Sequence, residues 1–156
     1  MKMRFKQVLI LALASVMLFA LAACGGGGGG TAKGGYKVDE VKTKMAALLD
    51  IEESAIKVSE RDGTTVLSYG LEEIAVDAYV MKDAKAAQDY FSIPAMAGSF
   101  DDKRVDETGR KVWVSEVENW ATGESIFNTV AMKDNFIILS IGGPTPDEVV
   151  SAFDLN

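Results

Sequence analysis

The hydrophobic and polar positions divide the chain into an apolar beginning and a longer, patterned remainder. Three basic residues precede an apolar run from Val8 to Ala23, which only Ser15 interrupts. A positive start, an apolar stretch and small residues at its end are typical of a secretory signal peptide. As a helix the run would span roughly 24 Å, short of the roughly 30 Å hydrocarbon core of a bilayer. We therefore predict a cleaved signal at residues 1–23 rather than a permanent transmembrane helix.

A glycine-rich stretch follows the predicted signal. Gly25 to Gly30 are six consecutive glycines, and Thr31-Ala32-Lys33-Gly34-Gly35 continues the bias. Glycine loses the most conformational entropy on ordering, so residues 24–36 are expected to form a tether with an r.m.s. reach of roughly 17–21 Å. A phosphate-binding loop would instead follow a strand and open a helix.

The remainder begins with the pattern of one helix and three short strands. Apolar residues at helical spacing predict a helix from about Val38 to Leu49. Asp62-Gly63 lies between two short extended runs, at 55–59 and 65–69, and is a strong signal for a hairpin turn. Residues 73–81 then alternate between apolar and polar types, which predicts a half-buried strand.

The second half carries a helix, three strands and a closing helix. Asp83 is a favourable N-cap, and Pro94 restricts the residue before it, so this helix should end at about Ser92. Residues 95–110 lack a clear period and resemble a loop. The three strands are predicted at the ranges 111–120, 124–133 and 136–141.

The connections in this half support the assignment. Asp134-Asn135 fits a two-residue hairpin loop because both residue types tolerate positive φ. Thr145-Pro146-Asp147-Glu148 is a capping box with proline at the first helical position, which predicts a final short helix. The order αβββαβββα predicts an α+β fold, an antiparallel sheet with two or three helices packed on it, in one domain at 37–156.

The apolar run ends in Leu21-Ala22-Ala23-Cys24, which resembles the lipobox of bacterial lipoproteins. The resemblance implies a diacylglyceryl group on Cys24, with palmitate-type chains, and cleavage just before this residue. It places the protein on the outer face of the cytoplasmic membrane, or on an outer membrane where the organism has one. The alternative is a secreted protein cut after Ala23. The opening and the order of elements also resemble small lipoproteins of unknown function from Gram-positive, clostridial-type bacteria, which imply no activity.

Composition narrows the possible chemistry. The chain has no His, and Cys24 is its only Cys, so the domain can form neither an internal disulfide nor a Cys/His zinc site. Ser-His-Asp and Cys-His nucleophile systems are excluded for the same reason. We therefore expect no cofactor and no enzyme activity.

Charge narrows the possible partners. Three of the 16 bases leave with the signal while all 23 acids stay, so the mature chain has 13 bases and a net charge of −10. This balance argues against nucleic acid, which attracts basic surfaces. It favours a basic protein or a cationic ligand, bound in a salt-sensitive way.

Two groups of residues are candidates for binding sites. Trp120, Glu116 and Glu118 combine an aromatic face with carboxylates, which suits a sugar or a cation. For Trp120 itself the position beside the turn favours a lid over the sheet edge, with ligand binding as the alternative. By alternation Trp113 points to the opposite face and is predicted to be core. Asp101, Asp102 and Asp106 offer oxygen ligands for Ca²⁺, although the spacing is not that of an EF-hand and a solvated loop is the alternative.

The function that these patterns favour is a membrane-anchored, non-enzymatic binding or interaction module of unknown ligand. Two alternatives stay open. A carboxylate-based cell-wall hydrolase would need two carboxyls across a cleft. A small-ligand carrier would need a sizeable apolar cavity between sheet and helices.

Overall fold

The computed structural model describes residues 35–71, 73–95 and 100–156. The predicted signal, Cys24 and nearly all of the tether lie outside these residues. The helices and strands follow in the order α1 (Val38–Leu49), a 3₁₀ helix (Glu53–Ala55), β1 (Lys57–Arg61), β2 (Thr64–Leu71), β3 (Ile74–Val80), α2 (Ala84–Tyr90), α3 (Ser92–Ala95), β4 (Asp102–Glu107), β5 (Arg110–Glu118), β6 (Ser125–Lys133), β7 (Phe136–Ile141) and α4 (Pro146–Ala152). No helix in the described ranges is long and apolar enough to cross a membrane.

The described strands form one antiparallel sheet, and the predicted α+β class is confirmed. The strand order is β1-β2-β3-β7-β6-β5-β4, so two meanders meet where β3 pairs with β7. The nearly all-apolar strand β7 lies at the centre of the sheet, between β3 and β6, where both of its faces are covered.

Helices cover both faces of the sheet. Helices α1 and α4 pack on the first face through Met45, Val149 and Phe153, which join Phe136 and Ile138 in one buried cluster. Helix α2 packs on the second face, where its Ala87 joins a smaller buried cluster that lies over β6 and β7. Burying each large apolar side chain contributes about 1.5–3 kcal/mol, so both clusters stabilise the sheet.

Several short sequence motifs form the helix caps and the turn that they predict. The Asp83 carboxylate accepts a hydrogen bond from Ala86 N at 2.7 Å and caps α2. Thr145 and Glu148 form the reciprocal capping box at the start of α4. Asp62 and Gly63 both take positive φ in the turn between β1 and β2.

The predicted half-buried strand at 73–81 is buried on both faces. By alternation Asp77 and Tyr79 share one face of β3, and both are buried. The reason is that α2, the next helix along the chain, packs on the second face, and this packing leaves no mark on the strand's own pattern.

The stretch 95–110, expected to be a loop, contains the additional strand β4. Five of its six side chains are exposed because it is an edge strand, so it shows none of the apolar alternation by which a strand is recognised. The helix expected to end near Ser92 instead stops at Tyr90 and continues as the separate short helix α3. Pro94 is tolerated in that helix because the backbone N–H groups of a first helical turn have no carbonyl partner within the helix. The N–H that proline lacks would therefore not have been hydrogen-bonded there.

Candidate interaction surface

Strands β5 and β6 extend beyond their neighbours at one end of the sheet. β4 pairs with β5 only as far as Asp102 opposite Val114, and β7 pairs with β6 only as far as Ile141 opposite Asn128. β5 and β6 pair with each other for three further residue pairs. Residues 116–127 therefore form a two-stranded hairpin, called here the distal arm, that projects on the order of 10 Å past both neighbours.

Local hydrogen bonds close the turn of the distal arm. Asn119 N donates to the carbonyl of Glu124 at 2.7 Å, and Gly123 N donates to the carbonyl of Asn119 at 2.7 Å. The Asn119 side-chain oxygen accepts from Ala121 N at 3.0 Å. Gly123 has a φ of 73°, which glycine adopts without steric cost. The turn thus has a defined shape although most of its residues are exposed.

The two faces of the distal arm differ in chemistry. Val117 lies directly opposite Ile126 on one face, and 48% of Val117 is exposed. Glu116 and Glu118 are both exposed and share the other face. The Ser125 hydroxyl donates a hydrogen bond to the Glu116 carboxylate. One apolar and one acidic face therefore reach solvent on the same hairpin.

The charges of the distal arm are of one sign. Residues 116–127 contain Glu116, Glu118 and Glu124 but no Lys or Arg. Among the described residues, none of the three carboxylates forms a salt bridge, whereas carboxylates elsewhere on the surface do. The arm is therefore an acidic projection whose charge is not neutralised by described side chains.

The two tryptophans have different environments. Trp120 lies in the turn of the arm and is 80% exposed, so it does not close over the sheet edge. Trp113 packs against the core of the second face, with its ring 5.1 Å from that of Phe91 in an edge-on contact. Lys103 Nζ lies 4.3 Å from the Trp113 ring centroid and covers it. The predicted core role of Trp113 fits this packing, while Trp120 is free to contact another molecule.

The acidic residues considered for Ca²⁺ are not brought together. Asp102 and Asp106 belong to β4 and pair with Val114 and Lys111, which point to opposite faces of β5. Asp102 forms a salt bridge with Arg104 at 3.1 Å. Lys111 binds Asp106 and lowers the pKa of its carboxyl. Asp101 precedes the strand, and no group of three metal-binding side chains is found among the described residues, so we do not propose a metal site.

Gly35 and Tyr36, at the end of the predicted tether, lie at the end of the sheet opposite the arm. Asn135, in the turn between β6 and β7, accepts a hydrogen bond from Tyr36 N at 2.7 Å. Its amide donates to the carbonyls of Tyr36 at 3.1 Å and Met81 at 2.9 Å. A Cβ atom on Gly35 would collide with this amide, so a larger residue there would displace the Asn135 side chain. These contacts form the tether junction, and they were not predicted because Asn135 was interpreted as a turn residue alone.

An open depression of about 240 Å³ lies beside the tether junction. Charged side chains and Tyr36 line it, and Lys44 crosses it to pair with Asp154 at 2.8 Å and Glu40 at 3.2 Å. The hydrogen bond to Asp154 raises the pKa of Lys44. Burial raises the pKa of Tyr36 to about 12, and its hydroxyl donates to the Phe153 carbonyl. This polar, internally paired surface lacks the apolar lining of a carrier cavity.

Asp77 is the buried carboxyl of the second face and is only 7% exposed. Burial raises its pKa, and a hydrogen bond from the Ser68 hydroxyl partly offsets this. The residues opposite it on the neighbouring strands are Ser68 and Leu139. A raised pKa is expected of an acid catalyst, but Asp77 has no second carboxyl opposite it on either neighbouring strand.

The distal arm is therefore the described surface that combines exposure, an aromatic side chain and unpaired charge. It includes Trp120, Glu116 and Glu118, the residues that the sequence indicated for ligand binding, although Glu116 and Glu118 lie on the strand and Trp120 in the turn beyond it. No protein-family model, curated protein or solved structure matches this chain, so the interpretation of the arm depends on its own geometry.

Proposed function

We propose that this protein is a lipid-anchored, non-enzymatic binding module that offers the distal arm to a cationic partner outside the cell. The observation that carries the proposal is the arm itself, with Trp120 largely exposed and three carboxylates without described salt-bridge partners. The lipobox-like Leu21-Ala22-Ala23-Cys24 and the glycine run behind it support the anchor. Two acyl chains on Cys24 would give stable attachment, which one chain alone does not.

The positions of the tether junction and the arm support this arrangement. Strand β6 extends from Ser125 in the arm to Lys133 beside the tether junction. Nine residues of strand span roughly 27–30 Å, so the arm is at the end of the domain farthest from Gly35. A partner can therefore reach the arm without entering the headgroup region.

The chemistry of the arm favours a positively charged partner. Opposite charges accelerate association and raise specificity, and the effect falls with salt because exposed charges are screened over about 8 Å at physiological ionic strength. Trp120 adds an aromatic face, and a Lys or Arg over such a face gains about 0.5–1 kcal/mol at an exposed site. Association should therefore weaken as the salt concentration rises.

The hydrolase and carrier alternatives gain no comparable support. Glu116 and Glu118 are two residues apart on one strand and share one face, whereas glycoside hydrolysis uses carboxyls on two sides of a cleft. The depression near Tyr36 is lined by charged groups that pair with one another.

Photo-cross-linking in intact cells tests the binding proposal. A photoreactive amino acid at position 120 should give a discrete adduct, and the same residue at Lys82, exposed near the tether junction, is the matched control. The adduct at position 120 should weaken when Glu116 and Glu118 are both changed to Gln. Equal labelling at the two positions, or none at position 120, would contradict the proposed role of the arm.

Metabolic labelling tests the anchor. Cells given labelled palmitate should label the wild-type protein, while Cys24→Ser should remain unlabelled. If Cys24→Ser still incorporates the label, the lipid is not on this residue and the anchor proposal is wrong.

A further inference from the structure

We infer that the partner of the distal arm is an extended segment with alternating basic and apolar residues, which adds as a strand to the outer edge of β5. This inference depends on the proposed function, because it names the class of partner for the same surface. Two features of the arm support it: the backbone edge of β5, which no described strand pairs with, and the alternation of its side chains.

Within the arm, no described strand pairs with the outer backbone edge of β5. β4 ends its pairing at Asp102 opposite Val114, so Ser115 to Glu118 have no neighbouring strand on that side among the described residues. The outer edge of β6 is different, because Gly142 N donates to the Phe127 carbonyl at 3.2 Å. Unpaired N–H and C=O groups at a sheet edge are a template for an added strand.

The side chains of the arm select the sequence of the added strand. In a paired strand, the residue opposite Val117 would lie on the apolar face, where an aliphatic side chain would cover Val117 and reach toward Ile126. The residues opposite Glu116 and Glu118 would lie on the acidic face, where Lys or Arg would form cross-strand pairs of opposite charge. The complementary pattern is therefore basic, apolar, basic.

A second copy of this chain does not fit the same edge. Two arms paired through β5 would bring carboxylates of like charge against each other, which is destabilising. The two outermost strands of the sheet are also less suitable for an added strand. β4 has an irregular register between Lys103 and Val105, and β1 mixes bases and acids on five exposed residues.

Peptide binding to the purified, lipidated protein in detergent micelles tests the inference. One fluorescent peptide contains alternating Lys and Val, and the other contains the same residues as separate blocks of Lys and Val. At low salt the alternating peptide should bind about fivefold more tightly, as expected when two cross-strand charge pairs form in register. N-methylation of the N–H groups that would face the edge of β5 removes the donors of the added strand and should abolish binding.

Matched variants locate the site. Glu116→Gln together with Glu118→Gln should reduce the affinity for the alternating peptide to that for the block peptide, whereas Glu60→Gln on β1 should leave it unchanged. An unchanged melting temperature shows that each variant is folded.

Equal affinity for the two peptides, or binding that survives N-methylation, would overturn the inference. Neither result bears on the cross-link at position 120, so failure of the inference and failure of the proposed function are separate outcomes.

Discussion

Asn135→Ala is a direct test of the tether junction. The substitution removes three hydrogen bonds, one from Tyr36 N and two to the carbonyls of Tyr36 and Met81, with lengths of 2.7, 3.1 and 2.9 Å. Asn135 is only 4% exposed, so water does not readily replace its amide. At about 0.5–1.5 kcal/mol for each bond, we expect the free energy of unfolding to fall by about 2–4 kcal/mol.

Urea denaturation followed by circular dichroism measures this loss. The midpoint should fall while the dependence on urea concentration stays the same, because the surface exposed on unfolding hardly changes. The melting temperature should fall by about 4 °C per kcal/mol, the value expected for a domain of this size. Asn119→Ala is the control, since it removes one hydrogen bond at an exposed turn and should cost less than about 1 kcal/mol.

The Asn135→Asp variant distinguishes the loss of the hydrogen bonds from a loss of side-chain packing. The carboxylate can still accept from Tyr36 N, but it would place an anionic oxygen where the amide donated to two carbonyl oxygens. Its pKa should be raised, so the destabilisation is full at neutral pH and is relieved as the pH falls below that raised pKa. A loss below about 1 kcal/mol for Asn135→Ala, or no pH dependence for Asn135→Asp, would refute the argument.

Two further variants test buried polar groups. Because burial raises the pKa of Asp77, the folded domain holds this proton more tightly than the unfolded chain does, and Asp77 lowers stability as the pH rises from about 4 through the raised value. The stability of Asp77→Asn relative to wild type should therefore increase over that pH range in urea titrations, and a constant difference would contradict the assignment. The hydroxyls of Thr129 and Ser140 are fully buried on paired strands without hydrogen-bond partners among the described residues. Thr129→Val combined with Ser140→Ala should raise the free energy of unfolding by about 1 kcal/mol, and a decrease would mean that the hydroxyls are paired in solution.

Elements defined by their own residues were predictable from the sequence. The N-cap Asp83, the capping box of Thr145 and Glu148, and the bounds of α1 depend on interactions within a few residues. The α+β class follows from the order of such elements. β4 was missed because an edge strand with exposed side chains on both faces has no apolar period.

The candidate site could be predicted in part. The chemistry of Trp120, Glu116 and Glu118 indicated a binding role, and these three residues occur together on the distal arm. The projection of the arm could not be predicted, because it depends on where β4 and β7 end beside it, which is a property of strand register across the sheet. The role of Asn135 was hidden for a similar reason, since its partners Tyr36 and Met81 are distant in sequence.

The contacts of Asn135 also determine how the domain would respond to a mechanical pull on the tether. Tension arriving through Gly35 passes at Tyr36 into the turn between β6 and β7, near the middle of the sheet, before it reaches α1. Both strands run along the line from this turn toward the arm, so their backbone hydrogen bonds would be sheared together and would share the force. Without Asn135 the same tension would fall on the remaining contacts of Tyr36, among them its hydroxyl bond to the Phe153 carbonyl, and then on α1. With the proposed lipid at one end and the proposed partner at the other, the domain would be loaded along its strands.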